Sequence, residues 1–185
     1  MTRLPIKPVV LPADLRGVTP GKLPPYLLKP IRPYGVLHPL AAQAWEAMRK
    51  AAHADGIRPF KPTSSGDTYR TLESQERAFR ARYTSAPIAS TSVRSWNGEV
   101  WRLKPGLAPL AVPGRSRHNL ALAVDISDAS GDRLDWLLAN ADWYGFTGEL
   151  QSEPWHWVYY PAERIPLKVQ QFVSLHADRN LRGAD

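Results

Sequence analysis

The sequence contains no cysteine. That excludes disulfides, thiolate metal sites and thiol nucleophiles, and leaves any metal to His, Asp or Glu. The fold is therefore indifferent to the redox state of its compartment. No apolar run is long enough to span a bilayer. The N-terminal MTRLPIKPVVLPADLRG has basic residues but no apolar h-region and no small-residue cleavage site, so no Sec signal peptide is expected. Internal repeats are absent. There is no basic–aromatic repeat and no helix-turn-helix pattern, which leaves nucleic acid without a recognition element. Acidic residues are scarce in most of the chain before residue 118.

What remains is ordinary in bulk and uneven in distribution. The 185 residues are 43% apolar, enough for one domain with a sizeable core. The net charge of +7 divides into +5 over residues 1–35, +1 over 36–69, +6 over 70–117 and −5 over 118–185. A basic part facing an acidic part suits an anionic partner on one side. A solvated basic surface would look the same. Eight of the 18 prolines fall within residues 1–35, which rules out a helix or a central strand there. We read residues 1–36 as a basic extended arm, either wrapped on the domain through Tyr26, Leu27, Leu28 and Tyr34 or serving as a linker. Residues 37–185 are read as the folded domain.

Periodicity marks the elements of that domain. Pro39 suits the first turn of a helix whose apolar face is Leu40, Ala44, Trp45, Met48 and Ala52, with Gly56 as the stop. Thr71 is a good N-cap for a second helix through Leu72, Gln75, Phe79 and Tyr83. In VRSWNGEVWRL, residues 93–103, Asn97-Gly98 between β-prone flanks signals a hairpin. Trp96 and Trp101 beside that turn either join the core or line a groove. A third helix is expected from about Asp132 to Tyr144, with Leu134, Leu137, Leu138 and Ala141 inward. WHWVYY at 155–160 reads as a strand, and Val169, Phe172, Val173 and His176 as a last helix. Helices and antiparallel hairpins in separate runs predict an α+β fold.

Two short stretches carry chemistry. In SRHNLALAVD, residues 116–125, a histidine and an aspartate bracket an apolar strand. Seven positions separate His118 from Asp125, so an unbroken strand would put them on opposite faces. They meet only if the chain turns near Asn119. Leu120, Leu122, Val124 and Ile126 form the large apolar face, and Ala121, Ala123 and Asp125 the small one. A carboxylate on a half-buried face is costly unless it is paired or holds a cation. In SEPWHWVYY, Glu153 and His156 stand three apart before an aromatic strand. Two imidazoles and two carboxylates supply what a hydrolytic zinc site needs: three protein ligands, an open position, and a carboxylate base. Spacing alone does not say which carboxylate is ligand and which is base. His38, His53 and His176 have no partner motif and are read as packing or surface residues. Arg115 and Arg117 are either solvated or contacts for an anionic substrate.

These motifs together resemble the zinc D-Ala-D-Ala carboxypeptidases of the VanY type and the phage L-alanyl-D-glutamate endopeptidases. Both belong to a wider group with the lysostaphin-like enzymes and the hedgehog domain. TYRTLESQ at 68–75 resembles the family's Y-R-S-x-x-x-Q, and WLLANADWYGF at 136–146 its W-L-x-x-N-A-x-x-Y-G-F. The matches run in order over residues 37–160. SSGDTYR and the WNGEVWRL hairpin are most like versions in phages of actinobacteria. The resemblance implies a small antiparallel sheet carrying one Zn2+ per chain, packed with helices. It also implies His118, Asp125 and His156 as metal ligands and Glu153 as general base. Arg70 would hold a substrate carboxylate or a developing oxyanion. Gln75, Ser116 and Trp155 would contact or support substrate. Ala121 stands where the family usually has Gly, and Asp67-Thr68 lengthens the approach to Arg70.

The function implied is hydrolysis of amide bonds in peptidoglycan stem peptides by a monomeric phage endolysin. Such a protein is made in the host cytoplasm and acts at the bacterial cell wall on muropeptides. Two alternatives stay open. The cut is either D-Ala-D-Ala carboxypeptidase or L-Ala-D-Glu endopeptidase in type, since only cleft shape separates them. Otherwise the chain is a non-catalytic zinc-containing wall-binding module, which would have no use for a base at Glu153.

Overall fold

The computed structural model describes residues 3–182. Within the arm, two short antiparallel strands, β1 (Lys29–Pro30) and β2 (Val36–Leu37), pair just before the first helix. Helix α1 (Pro39–Ala54) follows, with proline at its first turn, and buries Ala44, Trp45, Met48 and Ala52 completely. Helix α2 (Leu72–Arg82) starts at Thr71, whose hydroxyl accepts from the Ser74 amide at 3.2 Å. It runs into β3 (Tyr83–Thr84), then the hairpin β4 (Val93–Trp96) and β5 (Glu99–Leu103). Asn97 and Gly98 both have positive φ, as a two-residue hairpin turn requires.

After a long connection come β6 (Ala123–Asp125), α3 (Gly131–Asn140), β7 (Phe146–Gly148) and β8 (His156–Tyr159), and last α4 (Leu167–Arg182). Helix α3 stops at Asn140, and a tighter 3-10 turn carries the chain on through Tyr144. The side chain of His176 on α4 lies outside the described residues. Among the described residues, four α-helices with three small antiparallel sheets make the fold α+β.

The sheet that matters has the order β6-β8-β7, with β8 in the centre. It packs on α1 and α3 through a core that includes Trp45, Phe60, Leu122, Leu137, Phe146 and Trp157. Phe60 stacks on Trp45 and meets Trp136 edge-on. Both faces of β6 are buried: Ala121 and Ala123 are as enclosed as Leu122 and Val124.

The arm lies on this core. Leu4, Leu15, Leu23, Leu27 and Ile31 are buried in it, and Ile6 and Val10 form bridges with Gly148 and Pro161. Of the side chains expected to anchor the arm, Leu27 is buried whereas Tyr26 is largely exposed. Tyr34 hydrogen-bonds the Pro62 carbonyl.

Trp96 and Trp101 pack inward against other aromatics. They pack with Phe79, Tyr83 and Leu103 into a second, smaller cluster under the hairpin, beneath the guanidinium of Arg80. A two-stranded hairpin is marginal alone, and these aromatics supply the apolar face it needs.

Candidate metal centre

The chain does turn before β6. Ser116 caps a 3-10 turn over Arg117–Leu120, accepting from the His118 amide, and Ala121 leaves that turn in the left-handed region with φ 55°. That conformation explains why glycine is usual there, since a Cβ makes it costly. The strand proper begins only at Ala123. The turn swings His118 back over the strand end, where Asp125 emerges.

Sheet register supplies the other pairing. Asp125 on β6 lies directly opposite His156 on β8, so both side chains rise from one face. Asp125 Oδ1 is 2.8 Å from His156 Nδ1 and 3.3 Å from His118 Nε2. The imidazole rings are 5.0 Å apart. One donor atom from each of the three residues falls within 4.8 Å of the others, a group able to hold a metal ion. His118 and His156 are both buried.

The outer ring nitrogens are committed elsewhere. His118 Nδ1 donates to the Thr68 carbonyl at 2.8 Å. A carbonyl only accepts, so the tautomer is fixed and Nε2 is aimed at Asp125. His156 Nε2 donates to Glu149 Oε2 at 3.0 Å. Two imidazole nitrogens thus converge with a carboxylate oxygen, and each ring is orientated from behind, which is how metal-binding histidines are usually held.

The charges reflect this convergence. Burial alone would raise the Asp125 pKa, but hydrogen bonds to the two imidazoles outweigh it and hold the carboxyl well below the usual range. Burial works against the His156 cation, yet Asp125 and Glu149 prevail and raise its pKa to about 9. The hydrogen bond from His156 likewise lowers Glu149, with burial opposing and Arg117 assisting.

The group sits in an open cavity of about 570 Å³. Arg70, Arg115, Arg117, Glu149, Glu153 and Trp155 are among its walls. Glu153 reaches the cavity because a tight turn joins its carbonyl to the His156 amide at 3.0 Å. Among the described residues its carboxylate has no hydrogen-bond partner. Trp155 is 45% exposed and Ser116 also lines the cavity.

Arg70 is held by Gln75 Oε1 at 3.0 Å, the Gly66 carbonyl at 3.3 Å and Asp67 at 3.5 Å. Gln75 is fully buried, and its amide nitrogen donates to the Ala111 carbonyl. Its amide is therefore spent on positioning Arg70 rather than on the cleft. Glu73 pairs with Arg77 instead of Arg70.

Sequence reasoning missed Glu149. It lies one residue past β7, in no recognisable spacing, and only sheet register brings it to His156. Arg117, left between solvent and substrate, is instead bound to Glu149 at 2.9 Å. Asp67-Thr68, an apparent lengthening of the approach, supplies the Arg70 contact and the His118 acceptor.

Comparison with known proteins agrees with this geometry. The family model described as VanY, D-alanyl-D-alanine carboxypeptidase, matches residues 35–162. A D-alanyl-D-alanine carboxypeptidase of Enterococcus faecalis is 33% identical over 132 residues, covering 61% of this chain and 44% of that protein. The chain thus spans less than half the length of that curated relative. Among solved structures, VanYB in complex with D-alanine-D-alanine superposes with a TM-score of 0.54 at 21% identity, covering 88% of this chain and 91% of that one. The LdcB LD-carboxypeptidase gives 0.54 at 22%, covering 82% and 76%. At such identities the two structures establish the fold. With the family model covering more than half its length, the chain belongs to the VanY D-alanyl-D-alanine carboxypeptidase family.

Proposed function

We propose that this chain is a zinc-dependent D-Ala-D-Ala carboxypeptidase acting on peptidoglycan stem peptides. The observation that carries the reading is the meeting of His118, Asp125 and His156 in one cavity with Glu153 and Arg70 on its walls.

The donor set fits zinc, which takes imidazole nitrogen and carboxylate oxygen. Bonds of about 2.0–2.2 Å to a tetrahedral ion would place neighbouring ligand atoms roughly 3.3–3.6 Å apart. The His118–Asp125 pair already stands at 3.3 Å. The 2.8 Å His156–Asp125 pair is at hydrogen-bond length and has to open slightly when an ion replaces the proton. When bound, zinc supplies Lewis acidity toward a peptide carbonyl and an acidified water.

The remaining work falls to the chain's own side chains. Glu153, free of competing partners, takes a proton from the attacking water and returns it to the leaving amine. Arg70 offers a rigid fork of donors to the C-terminal carboxylate of a stem peptide or to the developing oxyanion. Gln75 keeps that fork from rotating. Trp155 walls the cleft. A wall-binding module without catalysis would need neither the base nor the fork.

The VanYB structure in complex with D-alanine-D-alanine and the curated relative named as a carboxypeptidase favour removal of a terminal D-Ala over an internal L-Ala-D-Glu cut. The finer reading is a phage endolysin that works as a monomer at the host wall. It rests on the likeness of SSGDTYR and WNGEVWRL to phage sequences. The test is mass spectrometry of purified muropeptides after incubation with the protein. Loss of one alanine from pentapeptides is expected. Release of the peptide between L-Ala and D-Glu would instead make it an endopeptidase, and unchanged muropeptides would refute hydrolysis.

A further inference from the structure

His156 occupies the central strand of the sheet and is flanked by carboxylates on both sides. Asp125 stands opposite it on β6. On β7, Gly148 is paired with Trp157, so the next residue out, Glu149, comes level with His156. One carboxylate faces Nδ1 and the other Nε2. The two therefore cannot have the same task. Asp125 shares its oxygen with His118 and belongs to the metal group. Glu149 lies on the far edge of the ring.

Both Glu149 oxygens are engaged, Oε2 with His156 and Oε1 with Arg117 Nε at 2.9 Å. Glu153, with no such partners, is the carboxylate left for proton transfer. Arg117 is placed by the same 3-10 turn that delivers His118. One turn thus contributes both a ligand and the anchor for the other ligand's support. The two histidines are backed unequally: His118 by a neutral carbonyl, His156 by a carboxylate.

We infer that Glu149, anchored by Arg117, is a positioning residue that fixes the ring and tautomer of His156 for metal binding. This rests on the reading of the site as a zinc centre. The proton on Nε2 stays on the ring and is donated to Glu149, so Nδ1 is the nitrogen that offers its lone pair when an ion replaces the proton shared with Asp125, and the nearby negative charge raises the basicity of that lone pair. Loss of such support costs about 10- to 100-fold in metal affinity.

The test is zinc affinity of the full chain, measured by competition with a chromophoric chelator, alongside melting of the metal-free protein. Glu149→Ala is expected to weaken zinc binding about 10- to 100-fold while the metal-free protein melts near wild type. Glu149→Gln keeps an acceptor for the Nε2 proton and is expected to recover most of that loss. If Glu149→Ala does not fold, Arg117→Met takes its place, with zinc affinity expected to fall several-fold. Equal affinity in wild type and Glu149→Ala, or a lowered melting temperature at unchanged affinity, overturns the inference while leaving the proposed function intact. A wild-type chain that binds no zinc overturns both.

Discussion

Arg70, the proposed substrate fork, owes its position to its neighbours. Its guanidinium is gripped by Gln75, Asp67 and the Gly66 carbonyl, and its carbonyl accepts from Asn119 Nδ2 at 2.8 Å. Arg70→Lys removes the planar fork, and a point charge cannot replace two directed donors. We expect a loss of kcat/KM on a wall peptide with little change in melting temperature; unchanged kinetics would make Arg70 a surface residue. Gln75→Leu should do both kinds of damage, because it removes the donor to the half-buried Ala111 carbonyl as well as the acceptor that holds Arg70. A stability loss of about 1–3 kcal/mol is expected, together with a rate defect. Glu153→Gln should keep metal and fold and slow turnover by about 100- to 10,000-fold. A rate near wild type would remove Glu153 as the base. His118, Asp125, Glu153 and His156 could be picked out of the sequence because each sits inside a short motif. Glu149 could not, since its role depends on register across two strands.

At the scale of elements, the arm and the two site loops are one construction. Gly21 N–H donates to the Asn119 carbonyl at 2.6 Å, and its carbonyl accepts from Leu72 N–H at 2.9 Å. Leu23 N–H reaches the Tyr69 hydroxyl. The arm thereby ties the turn carrying His118 to the segment carrying Arg70. Gly21 has φ 81°, and a Cβ there would collide with the backbone nitrogen and Cα of Leu72. Gly21→Ala should therefore destabilise the fold by more than the roughly 1–2 kcal/mol of a left-handed residue, and lower kcat/KM as the loops part. Thermal melting and kinetics on one preparation check this; a neutral variant would mean the arm is not a brace. Proline density correctly excluded an α-helix or a central strand from this stretch, which holds two short 3-10 turns and the two-residue pair β1–β2. It carries no periodicity, so it gave no sign that Leu4, Leu15 and Leu23 are core residues. The α1 stripe and the Asn97-Gly98 hairpin were legible because local rules decide them. The 3-10 turn before β6 was readable only as a necessity, from the odd spacing of His118 and Asp125.

Across the whole molecule, the arm is also fastened electrostatically. Lys7 bonds to Asp142, which accepts from Tyr160 as well. The Asp142 hydrogen bond raises the Lys7 pKa above 10.5. Burial acts to raise Asp142, but the Lys7 and Tyr160 hydrogen bonds outweigh it and place its pKa below 3.8. The Asp142 contribution is thus present above pH 3.8 and lost as the pH falls through the depressed folded value. The Lys7 contribution is complete below pH 10.5 and lost as the pH rises through the elevated folded value. Both groups are well exposed, so the tie contributes only about 0–1 kcal/mol. Asp142→Asn should flatten the acid limb of the melting curve by that much. An identical acid limb in variant and wild type would show that the tie does not contribute.

The uneven charge takes on a spatial meaning in the cleft. Arg70, Arg115 and Arg117, from the basic 70–117 stretch, face Asp125, Glu149 and Glu153 from the acidic C-terminal part across one cavity. The central claim is that His118, Asp125 and His156, in this same cavity, hold a metal, and zinc content tests it most directly. Protein purified without chelator should carry close to one zinc per chain, and His118→Ala should lose most of it. A wild-type chain without zinc, or full retention in His118→Ala, would contradict the account.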